Sequence, residues 1–226
     1  MRLLSLLGGL LLLLGARAHP ATDLAAVADR LGGREVFDAI TSLRLVSDVE
    51  AQGPAGIVSV RSTASVRLPD AVRLGQQLPS GPVVTIWTDD AARTRSGNVT
   101  RDLRPEAARQ LRGQLYLVLP VLLAQRNALS LDGLAWDGDD TILSLRAPDL
   151  AAPIRLVVGP DGLPASVSTT LAGSEVRVAF DQYGRRGGLL LPSRTVQTVD
   201  GDTTGTTRLV SVEIDPTLPD RLFALD

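Results

Sequence analysis

The chain has 226 residues, 23 basic and 25 acidic side chains, and a net charge of −2 at pH 7. This slightly acidic balance argues against nucleic acid as the main partner. All the basic residues are arginine, no cysteine is present, and the one histidine is His19. The missing residue types exclude disulfides, a Schiff-base lysine and a cysteine nucleophile, and they leave no second histidine to act as a base.

Residues 1–18 have the pattern of a secretory signal peptide. Arg2 provides a positive start, residues 3–15 are apolar, and Ala16-Arg17-Ala18 matches an A-x-A cleavage site. The apolar stretch is short for a membrane span, although an uncleaved anchor is the alternative. We expect cleavage between Ala18 and His19 and export of residues 19–226 as one soluble periplasmic domain.

Two short helices are predicted next. The first has Thr22 as its N-cap and an apolar side running from Leu24 to Leu31, and Gly32-Gly33 ends it. The second covers residues 34–40. Both have one apolar side, which must pack against another part of the fold.

Alternation of apolar and polar residues predicts about eleven strands over most of the remaining chain. Turn residues separate them at hairpin spacing, which is typical of an antiparallel meander. A sheet of this size is expected to curl or close. The strands are predicted at 43–51, 57–68, 71–78, 83–88, 128–136, 141–147, 154–159, 163–172, 175–183, 189–199 and 206–214.

One helical insertion, at 103–125, interrupts the strands. Pro105 is predicted at its first position, and Gly113 and Pro120 indicate two or three short pieces instead of one rod. A short helical turn is predicted near the end, over 218–225.

The insertion contains the apolar run LYLVLPVLLA at residues 115–124. As a helix it would be about 15 Å long, half the thickness of a bilayer, so it does not span a membrane. It is apolar on every side and therefore has to be covered on every side. Two interpretations stay open: the run fills the core of the barrel, or it lines a cavity that holds acyl chains.

No catalytic or metal-binding motif is present in the sequence. The acidic stretches at 137–140 and 200–205 lack the residue at the twelfth position that a calcium loop needs, so we interpret them as hairpin turns. No nucleophile elbow or phosphate-binding loop occurs. We therefore expect a binding protein that is not an enzyme and needs no metal or cofactor.

Several stretches resemble one protein family, and they occur in the family's order. They are RLGGREVFDAITSLRLVSDV at 31–50, VRLPDAVRL at 66–74, LPVLL at 119–123, VAFDQYGRRGGLLLPSRTVQ at 178–197 and VSVEIDPTLPDRLFAL at 210–225. Together they resemble the LolA/LolB-like periplasmic carriers of the outer-membrane lipoprotein-sorting superfamily.

The resemblance implies an α+β, mainly β fold. A single curved antiparallel sheet would form a half-open β-barrel of about eleven strands, with the N-terminal and mid-chain helices over its concave face. The cavity inside would shield lipid acyl chains. The residues expected to line the cavity or its lid are Leu115, Tyr116, Leu119, Leu122, Leu123, Trp87 and Trp136.

In the best-studied carriers, an arginine directly before a strand-end proline holds the lid shut. Here Leu68 precedes Pro69, so Arg67 and Arg73 are the candidates for holding the lid. An aromatic residue expected after the Trp87 strand is also missing, because the chain has Asp89-Asp90-Ala91 there.

The resemblance implies a non-catalytic periplasmic carrier for lipid or lipidated protein, working with inner- or outer-membrane envelope proteins. The alternative is an envelope interaction or sensor module with a solidly packed barrel and no lipid cargo.

Overall fold

The computed structural model describes residues 21–53, 56–88 and 91–224. The predicted signal peptide and its cleavage site lie outside these residues. Four α-helices are described: α1 (Leu24–Leu31), α2 (Arg34–Ala39), α3 (Pro105–Leu115) and α4 (Leu119–Ala124). Two 3₁₀ helices cover Arg126–Ala128 and Asp220–Phe223. No helix in the described part of the chain is long and apolar enough to cross a membrane.

The β-structure is one antiparallel sheet of 13 strands. The strands are β1 (Ser42–Gly53), β2 (Gly56–Arg67), β3 (Ala71–Leu78), β4 (Gly81–Trp87), β5 (Ala92–Ser96), β6 (Val99–Asp102), β7 (Ser130–Asp137), β8 (Asp140–Arg146), β9 (Ile154–Val158), β10 (Pro164–Leu171), β11 (Ser174–Arg186), β12 (Leu189–Val199) and β13 (Asp202–Ile214).

The strand order shows that the curved sheet is not closed. It runs β6-β5-β4-β3-β2-β1-β13-β12-β11-β10-β9-β8-β7, so the first and last strands pair in the middle of the sheet. Strands β6 and β7 lie at the two free edges, and the insertion containing α3 and α4 connects them. The predicted half-open barrel with helices is confirmed.

The sheet has two more strands than the sequence pattern predicts, and both are at one edge. Strands β5 and β6 form a hairpin across Gly97-Asn98, with Ser96 opposite Val99. The four residues of β6 are all exposed. A strand with no buried face has no reason to alternate polar and apolar residues, which is why the pattern missed this hairpin.

The first helix begins one residue later than predicted. Asp23, and not Thr22, is the N-cap, and its carboxylate accepts a hydrogen bond of 2.7 Å from the backbone N–H of Ala26. Gly32 ends the helix with a φ of +150°, and a β-carbon at that position would lie 2.7 Å from Leu189 Cδ2. Glycine at this position therefore lets the end of α1 approach β12 closely.

The insertion forms two helices, in agreement with the two or three pieces predicted, but Gly113 lies inside α3 and does not end it. Pro105 starts α3, while Pro120 lies in the first turn of α4. The backbone turns between the two helices, at Tyr116–Val118. A β-carbon on Gly113 would lie 2.4 Å from Leu171 Cδ2, so α3 packs closely against β10 at this glycine.

The main core lies between the helices and the concave face of the sheet. Its fully buried side chains come from the N-terminal helices, from α4 and from the sheet. They include Leu31, Phe37, Leu119, Leu122, Leu123, Leu143, Leu156 and Leu191. A smaller cluster lies on the opposite, convex face, where Phe223 of the C-terminal 3₁₀ helix packs on Ala71 and Ile86.

Candidate functional site

A cavity of about 270 Å³ lies between the central strands and the segment that joins α3 to α4. Strands β1, β2, β11, β12 and β13 form its floor, and residues from Gln114 to Pro120 form its cover. The lining side chains are Leu45, Ser47, Ser62, Ala64, Gln114, Leu117, Val118, Leu119, Pro120, Val178, Phe180, Leu191, Pro192, Thr195, Gln197, Thr207 and Leu209.

All the side chains that line this cavity are uncharged. The lining changes from apolar to polar between successive inward positions of β1 and β2. Leu45 and Ala64 form an apolar pair directly opposite each other, and the next inward pair, Ser47 and Ser62, carries hydroxyl groups. The cavity can therefore receive an apolar chain and offer hydrogen bonds to a neutral polar group, while it provides no charge for an ionic headgroup.

A second hydroxyl pair extends the polar part of the floor. Thr195 on β12 lies directly opposite Thr207 on β13, and Phe180 on β11 lies opposite Thr195. The hydroxyl groups therefore line the cavity on both sides of the β1–β13 seam. They follow the inward positions of their strands, so the alternation that predicted the strands also indicates them.

The predicted site residues are divided between this cavity, a second cavity, the core and the surface. Leu119 lines the first cavity. Leu122 and Leu123 are fully buried in the core, beside α2 and the 3₁₀ helix that follows. Trp136 is 62% exposed on the edge strand β7 and does not line either cavity.

Leu115, Tyr116 and Trp87 line the second cavity, of about 230 Å³, on the other side of the covering segment. Burial raises the pKa of the Tyr116 phenol, and its 2.9 Å hydrogen bond to Asp149 Oδ1 raises that pKa further. Trp87 is buried, and its indole N–H has no hydrogen-bond partner among the described residues. This cavity has a different chemistry, because Asp70, Arg112 and Asp149 also line it.

Arg67 and Arg73 are on the convex face of the sheet, away from the covering segment. Arg67 pairs with Asp220, and its guanidinium lies 4.7 Å from the centre of the Phe223 ring. Arg73 donates a 3.1 Å hydrogen bond to the carbonyl oxygen of Leu222. The structure thus places both arginines against the C-terminal 3₁₀ helix, since their side chains project from the face opposite the helices α1–α4.

Arg126 joins α4 to α2 and is not among the site residues predicted from the sequence. Its buried guanidinium donates hydrogen bonds to the carbonyl oxygens of Leu123, at 3.1 Å, and Arg34, at 3.0 Å, and it also pairs with Asp38. These contacts connect the end of α4 to α2. An isolated arginine after an apolar run is usually exposed, so nothing in the sequence pattern marked this one.

Among the described residues, no three histidine, aspartate or glutamate side chains come together in a way that could hold a metal ion. The acidic turn at Asp137–Asp140 closes the β7–β8 hairpin, with Asp137 directly opposite Asp140.

Comparison with solved structures identifies the architecture. A LolA superfamily protein from Nitrosomonas europaea shares 11% sequence identity and superposes with a TM-score of 0.63, covering 91% of this chain and 99% of that one. The chain has the LolA-like fold.

Two further crystal structures have the same LolA-like architecture. A DUF1329 family protein from Desulfovibrio piger superposes with a TM-score of 0.58 at 9% identity, covering 92% of this chain and 98% of that one. A putative outer membrane lipoprotein-sorting protein domain from Vibrio parahaemolyticus gives 0.55 at 7% identity, covering 89% and 95%. No protein-family model matches the sequence, and neither does any curated protein.

Proposed function

We propose that this protein is a non-catalytic carrier that is exported to the periplasm and holds the acyl chain of a lipid or lipidated protein inside its half-open barrel. The cavity of about 270 Å³ under Leu117–Pro120 carries this proposal. The alternative of a solidly packed barrel requires that side chains fill this space. The cavity therefore favours a carrier.

The capacity of the cavity limits the cargo in this conformation. A methylene group occupies roughly the volume of a water molecule, about 30 Å³, so a cavity of about 270 Å³ holds about nine methylenes of one chain. A lipid with two or three long chains would need the covering segment to move away from the floor. We therefore propose that single-chain ligands bind without rearrangement, and that larger lipids bind only when Leu117–Pro120 is displaced.

The fold supports the same proposal. One of the structures that share it is described as a putative outer membrane lipoprotein-sorting domain. Sorting of lipoproteins to the outer membrane, with inner- and outer-membrane proteins as partners, is the specific task that we propose by this analogy. We propose no catalytic step and no cofactor.

The test is uptake of the neutral apolar probe N-phenylnaphthylamine, together with native mass spectrometry of gently purified protein. The variant Ala64→Phe fills the cavity, because Ala64 lines it. The matched control Thr63→Phe adds the same ring to the neighbouring position on the opposite face of β2. We expect the wild type and the control to take up the probe and Ala64→Phe to lose at least about tenfold in affinity.

Co-purified lipid in the wild type that is missing from Ala64→Phe would support the carrier. Equal probe binding by all three proteins would place the probe outside the cavity and refute the proposed site.

A further inference from the structure

The edge strand β7 has an apolar face that no described residue covers. Leu131, Leu134 and Trp136 are 50%, 36% and 62% exposed. They are directly opposite Leu145, Leu143 and Thr141 of β8, which are buried on the core side of the sheet. Since directly opposed residues share a face, these three side chains continue the concave face beyond the last covered strand.

The backbone of the same strand has unused hydrogen-bonding groups. Asp137 and Asp140 close the two-residue hairpin turn, so Ala135 pairs by hydrogen bonds with β8, and alternation directs the N–H and C=O groups of Leu134 and Trp136 outward. A bulge at Leu131–Gly133 breaks the register at the start of β7. Among the described strands, the regular edge without a second partner is therefore Gly133–Asp137.

The other free edge of the sheet is different. Strand β6 has four residues, and Val99 is its only apolar side chain. Short, polar edges are the usual protection against pairing with another chain. At β7 the protection is limited to the bulge, while apolar side chains and backbone groups are exposed together.

From this combination we propose that Gly133–Asp137 is a docking edge for an extended polypeptide, which adds to the sheet as a further strand. A lipid chain could cover Leu134 and Trp136, but it could not pair with their outward N–H and C=O groups. A polypeptide in extended conformation does both, because its backbone pairs with the edge while every second side chain packs on the apolar face.

The charges near the edge define the chemistry of this partner. Asp137, Asp139 and Asp140 are at the turn end of β7, and none of the three forms an ion pair within the described residues. The one acidic side chain further along β7, Asp132, pairs with Arg146. The partner segment therefore alternates apolar residues and carries arginine or lysine at the end that reaches the turn.

The experiment uses residues 19–226, the proposed mature chain, and a panel of seven-residue peptides. In each peptide valine, leucine, phenylalanine or tyrosine alternates with threonine between terminal arginines. Binding is followed by the backbone amide resonances and by Trp136 fluorescence. We expect at least one peptide to bind at about 1 mM or below and to shift the amides of Gly133–Asp137.

Three changes test the geometry. Methylation of alternate peptide nitrogens removes backbone pairing and should weaken binding about tenfold or more. The variant Leu134→Pro removes one outward N–H together with the apolar Leu134 side chain, without breaking the bonds of Ala135 to β8, and should also weaken binding about tenfold or more. Terminal glutamates in place of the arginines should weaken it as well. The control Ile57→Thr, at another exposed apolar residue, should leave it unchanged, and apolar-probe uptake should be the same in Leu134→Pro as in the wild type.

Three results would overturn the proposal. One is no binding by any peptide of the panel while the amide spectrum shows a folded protein. Another is resonance shifts centred on cavity residues such as Ser47. The third is a dimer of the chain alone that Leu134→Pro dissociates, because the edge would then serve a second copy of this protein.

Discussion

The sharpest test of the cavity is the dependence of ligand affinity on chain length. The ligands are glycerol monoesters from butanoate to hexadecanoate, which present one apolar chain and a neutral polar end. Each buried methylene is worth about 0.8 kcal/mol, so affinity should rise about fourfold for each added carbon. The rise should stop near nine carbons, where a space of about 270 Å³ is filled.

The variant Phe180→Ala moves this limit. Phe180 is half-buried, lines the cavity and lies opposite Thr195. Removal of its ring deletes six carbon atoms, part of whose volume is added to the cavity, so the plateau should move to chains a few carbons longer. Val210→Ala, at an exposed position of β13, is the control and should keep the wild-type plateau.

Affinities are measured by calorimetry or by displacement of N-phenylnaphthylamine. A plateau at the same length in all three proteins would show that Phe180 does not bound the ligand. A continued rise to hexadecanoate in the wild type would mean that the chain lies in an open groove and would refute the limit of about nine carbons.

Three further predictions concern the parts that hold this architecture together. Arg126→Met should lower the free energy of unfolding, measured in urea, by about 2–4 kcal/mol, because two carbonyl oxygens and Asp38 lose their partner. The control is Arg109→Met, at an exposed arginine paired within α3. An equally large loss in the control would contradict the prediction. Phe223→Ala should cost about 3 kcal/mol, because its ring packs in the convex cluster, and a loss under about 0.5 kcal/mol would mean that the C-terminal segment is held by other contacts. Asp215→Asn should flatten the loss of stability in acid. Burial opposes ionisation of Asp215, but hydrogen bonds from the backbone and side chain of Thr41 and from the backbone of Ser42 outweigh it and hold its pKa below the ordinary value. That stabilisation is complete above about pH 4 and is lost as the pH falls through the lowered pKa. Identical acid denaturation of Asp215→Asn and the wild type would refute it.

Much of the sheet could be predicted because one face of most strands is buried. In β1 the inward residues Leu43 and Leu45 alternate with outward Arg44 and Val46, and the same alternation identifies β2 and the strands after the insertion. The hairpin of β5 and β6 could not be found in this way. Strand β6 is exposed on both faces and β5 is at most half-buried, so the sequence of this hairpin has little constraint to alternate.

The site was predictable only in part. An apolar run shows that a segment must be covered, but it does not show whether side chains fill the space between that segment and the sheet. Leu119 and Leu122 are three residues apart in one short helix, yet the first faces a cavity and the second the packed core. The difference depends on which strands lie beneath, and that follows from the pairing of β1 with β13, which no local pattern contains.

The topology links the cover of the cavity to the opening of the barrel. The chain crosses from the free edge β6 to the free edge β7 through the insertion, so one connection both covers the cavity and joins the two edges. Arg126 lies in this connection, four residues before β7, and fixes it to α2. Because these contacts lie between the cover and β7, displacement of Leu117–Pro120 does not by itself move the edge strand. Loss of the Arg126 contacts would remove this separation between the cover and the edge.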